Sequence, residues 1–309
     1  MIDRPAQGVS EVVVLFVIAL MLLVMTGAVV GGLPARLGME AQWAALWKVG
    51  IPELVGLLLP AVLFLWWKRQ LPLLRQLLWP QAVGRVRVVG MQLAAGLLLG
   101  VGLFYFLAAW LTPLYERLVP LPPAEQHALQ RMIAPKAGLR PLWLDVLTFA
   151  LVPAVCEELL FRGAILGSLI GSGGGRGQQL GQGGLPWRAF ADRRVLGAGL
   201  LSALLFGMIH LSWGRLIPTM LLGMAFAAAL LRSGGLWAAM TMHAVNNALV
   251  VLLVRRGLLS VLDWDRLTGP ASLGISARLL FLPVALLATV AGLALLAYRP
   301  RPEQSSRSA

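Results

Sequence analysis

The sequence has 309 residues, of which 59% are hydrophobic and only 13% are charged, and its mean hydropathy is +0.80. This composition leaves too little polar surface to cover a soluble globule of that size, so we expect a membrane protein with several spans. The net charge of +13 comes from basic residues in short loops between apolar runs. Such a pattern is typical of topology signals and contact with anionic headgroups, so we expect no nucleic-acid partner.

Apolar runs long enough to cross a bilayer recur along the chain. At about 1.5 Å per residue, a helix of about 20 residues crosses a hydrocarbon core of about 30 Å. The sequence predicts about eight such helices and no internal repeat, and therefore an all-α bundle in one transmembrane domain over residues 1–300. The predicted helices cover residues 12–30, 49–67, 88–111, 142–170, 195–211 (to 218 in one alternative), 216–231, 236–254 and 279–298.

The loop after the second predicted helix carries basic residues and no acid, which predicts a cytoplasmic location by the positive-inside rule. These residues are Lys68, Arg69, Arg75, Arg85 and Arg87. With eight spans, both termini then lie in the cytoplasm, and the composition, rich in Ala, Leu, Gly and Arg, indicates the inner membrane of a high-GC bacterium. Arg255 and Arg256 depart from this pattern. No cleavable signal peptide is expected, because the first apolar run is long enough to span.

Three segments between or after the helices are expected to be irregular. The glycine-rich stretch 171–184 is predicted to be a flexible linker. The proline-rich stretch 112–141 is predicted to be an outer loop that holds a short amphipathic helix around residues 125–133. The tail 301–309 is expected to be disordered. The single cysteine, Cys156, excludes an intrachain disulfide and is interpreted as a small packing residue.

Two adjacent carboxylates and an arginine lie in the fourth predicted helix, where the only other charged side chain is Asp145. Charged groups at membrane depth cost a few kcal/mol each, so they are rarely present without a partner or a task. Glu158 and Arg162 are four residues apart with the acid first, which favours an ion pair on one face. Glu157 lies about 100° away around the helix. The pattern predicts either a structural ion cluster or a reactive site.

Two of the three histidines lie in later predicted helices. A lone histidine on an apolar helix is usually a hydrogen-bonded structural residue. His243 and Asn247, however, are four residues apart and place two polar groups on one face, whereas Asn246 points elsewhere. His210 ends the fifth predicted helix. Counted at about 1.5 Å per residue from the predicted span ends, Glu157, His210 and His243 lie at similar depths, about 12–18 Å from the outer boundary.

Together these motifs resemble those of the CAAX protease and bacteriocin-processing family of intramembrane proteases. The motifs are Glu157-Glu158-x-x-x-Arg162, Phe206-x-x-x-His210 and His243-x-x-x-Asn247, in that order on three hydrophobic segments. The region that carries them, about residues 142–254, is roughly a third of the chain. The resemblance implies an eight-helix bundle with a water-filled catalytic cavity, and hydrolysis of peptide bonds inside the membrane.

The resemblance also implies a role for each residue of the motifs. Glu157 and His210 would activate the attacking water. His243 and Asn247 would stabilise the oxyanion that forms when the water adds to the peptide carbonyl. This assignment suits the chemistry, because a carboxylate in a low-dielectric site is a stronger base toward water, and an imidazole and an amide can donate hydrogen bonds to an oxyanion.

The remaining motif residues are implied to be supporting ones. Glu158 and Arg162, with Phe206, would hold the helix that presents Glu157. No cofactor is expected, because the H-E-x-x-H arrangement of zinc proteases is absent. Zinc is the alternative. Its ligands would be Glu157, His210 and His243.

Three functions are compatible with these residues. The leading prediction is a glutamate-type intramembrane endopeptidase, whose partners are the lipid bilayer and a peptide or membrane-protein substrate. The alternative is a non-catalytic scaffold or bacteriocin-immunity protein with the same fold, but such a protein would be free to lose Glu157 or His210. A transporter with a proton relay is the third, and the absence of inverted repeats and paired broken helices argues against it.

Overall fold

The computed structural model describes residues 4–79, 85–125, 127, 140–171, 180, 183–255 and 272–297. Every regular element in these ranges is a helix, as predicted. The long helices are α1 (Arg4–Gly31), α2 (Ala41–Glu53, Leu54–Leu58 and Leu59–Trp67), α3 (Arg85–Phe106, Leu107–Leu111 and Thr112–Leu118), α4 (Leu142–Val146, Leu147–Leu151, Val152–Glu158, Leu159–Leu166 and Gly167–Gly171), α5 (Arg193–Met208), α6 (Trp213–Ser233), α7 (Leu236–Arg255) and α8 (Ser272–Ala297). Shorter helices cover Leu33–Arg36, Leu71–Leu78 and Trp187–Ala191.

Within the described ranges, five helices are long and apolar enough to cross a membrane by length and composition, namely α1, α2, α3, α6 and α7. The chain is therefore an all-α membrane protein with several spans. α5 is shorter, with 16 residues, and α4 carries three charged side chains close together at Glu157, Glu158 and Arg162. The count of eight spans stays a prediction.

The turn between α5 and α6 differs from its prediction. α5 ends at Met208, and the alternative in which the fifth helix continues to residue 218 is wrong. The chain leaves the helix because Leu211 has a φ of 50° and Ser212 is extended. A left-handed φ is unfavourable for a leucine, so the surrounding contacts must hold this turn. His210 consequently lies in the turn and not within a helix.

The start of the predicted outer loop also differs from its prediction. Residues Thr112–Leu118 form a helix that continues α3, although they were predicted to be irregular. Most of the rest of that loop, including the amphipathic helix predicted around residues 125–133, lies outside the described residues. The same is true of most of the predicted glycine-rich linker and of the tail 301–309.

Prolines explain why α2, α3 and α4 each widen into a π-helical turn. A proline inside a helix has no N–H to donate, and its ring clashes with the carbonyl four residues earlier. In each case that carbonyl lies in the π turn, whose wider path relieves the clash. The turns and prolines are Leu54–Leu58 with Pro60, Leu107–Leu111 with Pro113, and Leu147–Leu151 with Pro153. A fourth π turn, Leu159–Leu166, directly follows Glu158 and contains no proline.

Close packing of α3 on α7 fixes the helix that carries His243. A Cβ atom at Gly96 would lie 2.6 Å from the carbonyl oxygen of Ala238 and 2.7 Å from the Cβ of Thr241. Glycine alone permits so close an approach of the two backbones. α4 packs against α2, α5, α6 and α7, and all its residues from Leu159 to Leu166 are buried.

An ion cluster fastens the start of α4 to the end of α7. Asp145 is fully buried and pairs with Arg140, and its second oxygen lies 3.2 Å from Nε of Arg255. Nη2 of Arg255 also donates to the carbonyl oxygen of Arg140 at 2.6 Å. Arg255, which departs from the predicted charge pattern of the loops, therefore has a structural partner. This cluster holds the helices that present Glu157 and His243 side by side.

Candidate active site

The predicted ion pair within α4 is present. Nη1 of Arg162 donates to Oε1 of Glu158 at 3.0 Å, and both side chains are fully buried. Two opposite charges taken out of water are stable only with good geometry and further hydrogen bonds for their remaining atoms. The contacts of Arg162 and Glu158 with α5, α6 and α7 meet that requirement in part, while Nε of Arg162 and Oε2 of Glu158 have no hydrogen-bond partner within the described residues.

Arg162 is enclosed by aromatic rings and a glycine. Its guanidinium carbon lies 4.4 Å from the ring centre of Phe206 and 5.2 Å from that of Phe226, within the range of cation–π attraction. Nη2 donates to the carbonyl oxygen of Gly223 at 2.8 Å. A Cβ at Gly223 would lie 3.3 Å from this nitrogen and 3.0 Å from the Phe206 ring, so a larger residue would push Arg162 away.

Glu158 binds a second partner that the sequence did not predict. Nδ1 of His243 lies 3.0 Å from Oε1 of Glu158, the oxygen that also accepts from Arg162. The His243 ring stacks on Phe226 at 5.0 Å between centroids with an interplanar angle of 21°. Since an ionised carboxylate can only accept, Nδ1 carries the proton and Nε2 is the nitrogen with the lone pair. Glu158 therefore orients His243 as well as pairing with Arg162.

Glu157 lies beside that lone pair. Its Oε2 atom is 3.9 Å from Nε2 of His243. The residue is only 7% exposed, and within the described part of the chain this oxygen has no hydrogen-bond partner. Buried carboxylate oxygens normally have a partner, so an oxygen without one is suited to hold a water or a substrate group. The expected closeness of Glu157 and His243 is confirmed.

His210 reaches the same region through Phe206. Nδ1 of His210 donates to the carbonyl oxygen of Phe206 at 3.0 Å, which leaves Nε2 as its basic nitrogen. The Phe206 ring meets the rings of His210 and His243 edge-on, at 5.4 Å and 5.6 Å between centroids. Both imidazoles therefore contact the same aromatic ring. The supporting role of Phe206 stays a prediction.

Asn247 lies one turn beyond His243 on α7. Its Oδ1 atom accepts a hydrogen bond from Nδ2 of Asn246 at 3.3 Å. With Oδ1 engaged, the Nδ2 group of Asn247 is the part of the amide suited to donate to an oxyanion. Asn246, which was expected to point elsewhere, thus orients its neighbour.

The region that carries these motifs matches a known family model. Residues 139–249 match the family model described as Rce1-like, type II CAAX prenyl endopeptidase. This region is an Rce1-like domain. The match confirms the resemblance that the motifs indicated, and every residue of the predicted site lies within it. Searches of curated proteins and of solved structures found no match to the chain.

One apolar cavity beside the Rce1-like domain lies apart from this site. A cavity of about 250 Å³ lies between α3, α6, α7 and α8 and is almost wholly apolar. It is lined by residues such as Leu103, Ala225, Met242 and Leu293, and not by Glu157 or either site histidine. The water-filled cavity that the resemblance implies at Glu157 stays a prediction.

The zinc alternative requires Glu157, His210 and His243 to lie around one metal ion. Among the residues that the structure describes, no group of three or more His, Cys, Asp and Glu side chains is arranged to hold a metal ion. Glu157 and His243 are adjacent, but the shared neighbour of His210 and His243 is the apolar ring of Phe206.

Proposed function

We propose that the protein is an intramembrane endopeptidase that hydrolyses peptide bonds with a water molecule activated by Glu157 and His210. The observation that carries this proposal is that the buried Oε2 of Glu157, which has no hydrogen-bond partner within the described residues, lies 3.9 Å from Nε2 of His243 inside an Rce1-like domain. The Rce1-like family is a protease family, which supports peptide hydrolysis as the reaction class. The proposed substrate is a peptide or a membrane protein that reaches the site within the bilayer.

The proposed reaction begins with a water hydrogen-bonded to Oε2 of Glu157. The water oxygen bonds to the peptide carbonyl carbon while its proton passes to Glu157, with His210 as the second acceptor. The carbonyl oxygen becomes an oxyanion, which accepts a hydrogen bond from Nδ2 of Asn247; a second hydrogen bond, from Nε2 of His243, requires a proton on that nitrogen. The C–N bond then breaks, and the proton moves from the site to the leaving amine. Glu158 holds the His243 ring in place through Nδ1 during these steps.

A cleavage assay tests the proposal directly. The purified protein in detergent or liposomes is incubated with a library of hydrophobic peptides and small membrane proteins, and products are identified by mass spectrometry. We expect cleavage by the wild type and none by Glu157→Ala. Stoichiometric binding of one partner without cleavage by either protein would instead support a non-catalytic scaffold or immunity protein.

The oxyanion role of Asn247 gives a kinetic prediction. Asn247→Ala should lower kcat by about a hundredfold or more with little change in KM, as the loss of an oxyanion donor does. Asn246→Ala, which keeps the Asn247 donor but removes the hydrogen bond that orients it, should lower kcat less than Asn247→Ala does. A change in KM alone would make Asn247 a substrate-positioning residue.

The proposed reaction needs no metal. A zinc site takes three protein ligands at about 2.0–2.2 Å, and Glu157, His210 and His243 would have to be those ligands. Glu158 would then have to be the base, although its Oε1 is bonded to both Arg162 and His243. We expect activity to survive exhaustive chelation and elemental analysis to find substoichiometric zinc. Recovery of a chelated, inactive protein by one equivalent of zinc would make the protein a metalloprotease.

A further inference from the structure

A third carboxylate, Glu53, lies on α2 and has no role in the reaction described above. Its Oε2 atom is buried and, within the described part of the chain, has no hydrogen-bond partner. Glu53 is the last α-helical residue before the π turn Leu54–Leu58, as Glu158 is before Leu159–Leu166. Interruptions of this kind in a helix concentrate at functional sites. A buried acid in a membrane helix requires either a partner or a task.

The packing of α2 shows which way Glu53 faces. Four residues before it, Val49 belongs to an apolar cluster with Phe149 of α4. Four residues after it, Leu57 belongs to a second cluster with Cys156 of α4. Residues four apart lie on the same face of a helix, so Glu53 lies on the α2 face that packs against α4.

The level of Glu53 along α4 follows from the same contacts. Its neighbours on that face share apolar clusters with Phe149 on one side and Cys156 on the other, and Ala41–Glu53 also packs against Leu147–Leu151, so Glu53 lies near the α4 turn that ends at Glu157. Both parts of α2 that meet at Glu53 pack against the segment Val152–Glu158. The charge of Glu53 acts on both Cys156 and Glu157, which agrees with this placement.

Two carboxyl groups that are close together in a membrane interior repel each other when both are ionised. Each of these two also has a buried oxygen that lacks a hydrogen bond within the described residues. One proton shared between the two groups would remove the repulsion and would leave one of them a base and the other an acid, as in the carboxyl pairs of other hydrolases.

We propose that Glu53 is a positioning residue of the active site that shares one proton with Glu157, directly or through a water, and so sets Glu157 as the base. The inference rests on the proposed endopeptidase function. When the water binds, Glu53 holds the proton and Glu157 the negative charge. When Glu157 has taken the proton of the water, Glu53 keeps its own until the leaving amine has removed one proton from the pair, and the next water finds the pair as before. Protons are conserved over the cycle.

The decisive variant is Glu53→Gln, whose amide resembles the protonated form of Glu53 but cannot release a proton. We expect it to fold as the wild type does and to keep kcat near neutral pH within about tenfold with KM unchanged, because Glu157 stays the base. Its effect should appear in the pH profile, since the amide cannot give up the shared proton. Glu53→Asp, which keeps a titrating carboxyl group, should retain the pH dependence that Glu53→Gln loses, whereas a merely structural polar residue would leave the pH profile unchanged in both variants. Glu40→Gln, which removes an exposed acid just before α2, is the control.

A pH profile of kcat/KM supplies the second readout. In the wild type, loss of the shared proton at high pH leaves two charges that repel each other and should produce an alkaline limb of the profile. Glu53→Gln cannot lose that proton and should lack this limb, whereas Glu40→Gln should leave the profile unchanged. The other titratable or charged side chains that interact with this pair within the described residues are Cys156, Glu158 and Arg162 on α4 and His243 on α7. They are the same in all these variants, so a change in the profile reports on Glu53.

The outcomes separate this inference from the function on which it rests. If Glu157→Gln is inactive and Glu53→Gln has wild-type kcat and pH profile, Glu53 is not part of the site and the endopeptidase proposal stands. If Glu157→Gln cleaves as the wild type does, the proposed function itself fails. If Glu53→Gln does not fold, Glu53→Asp decides: a folded variant whose alkaline limb is displaced from that of the wild type supports the inference, and one with the wild-type alkaline limb overturns it.

Discussion

The Glu157→Gln variant is expected to fold normally and to cleave no substrate. The substitution removes a negative charge but keeps the shape of the side chain. Oε2 of Glu157 has no hydrogen bond to lose within the described residues, and Nε2 of His243 is 3.9 Å away, beyond hydrogen-bond distance. Stability should therefore change little. Activity should fall by about 10²–10⁴-fold or below detection, the contribution typical of a positioned general base.

The measurement is a comparison of kcat and melting temperature in one detergent. Glu157→Asp provides a second test, because it keeps the carboxylate but withdraws it by one methylene group, and we expect it to fail badly as well. Glu40→Gln should match the wild type in both quantities. Normal cleavage by Glu157→Gln would remove Glu157 from the reaction, and a large loss of stability would show that its main role is structural.

Local spacing predicted the parts of the site that belong to a single helix. The Glu158–Arg162 pair is one turn apart on α4, so its geometry follows from helical periodicity and needs no knowledge of other helices. The all-α fold class was likewise predicted from the lengths of the apolar runs. The depth argument correctly brought Glu157 and His243 together, because packed helices of alternating direction align their middles.

The contacts between helices could not be predicted from the sequence. The bond between Glu158 and His243 joins residues 85 positions apart, and no periodicity relates them. Phe226, which stacks on His243 and lies near Arg162, resembles any other apolar residue of α6. Glu53 did carry a signal, since it is an acid within an apolar run, but its neighbour on α4 could be found only from the packing of α2.

The position of His210 illustrates a second kind of limit. Hydropathy predicted a helix through residue 211 and allowed one through 218, because Leu211 to Pro218 contains too few polar residues to mark a break. The chain turns at Leu211, where a left-handed φ of 50° reverses its direction. Leucine gives no sequence signal for that conformation, unlike glycine or asparagine. A turn of this kind is specified by tertiary contacts.

Arg162→Ala is expected to lower both stability and activity. The substitution leaves the fully buried Glu158 without its ion-pair partner and removes a cation from between Phe206 and Phe226. Removal of one member of a buried ion pair typically costs about 3–5 kcal/mol. Arg162→Lys should also lose stability, because an ammonium group cannot bond Glu158 and the Gly223 carbonyl with the same planar fork.

A double substitution separates the loss of stability from the loss of activity that Arg162→Ala should cause. Glu158→Met combined with Arg162→Met removes both charges together, so no buried charge is left unpaired, and stability should recover relative to Arg162→Ala. Activity should not recover, because Nδ1 of His243 has then lost the carboxylate that fixes the direction of Nε2 toward Glu157. The measurements are the melting temperatures and cleavage rates of Arg162→Ala, Arg162→Lys and the double variant. Arg36→Ala, which removes an exposed arginine, is the control. Full stability and activity of Arg162→Ala would show that the ion pair is dispensable, and recovery of activity in the double variant would show that Glu158 does not position His243.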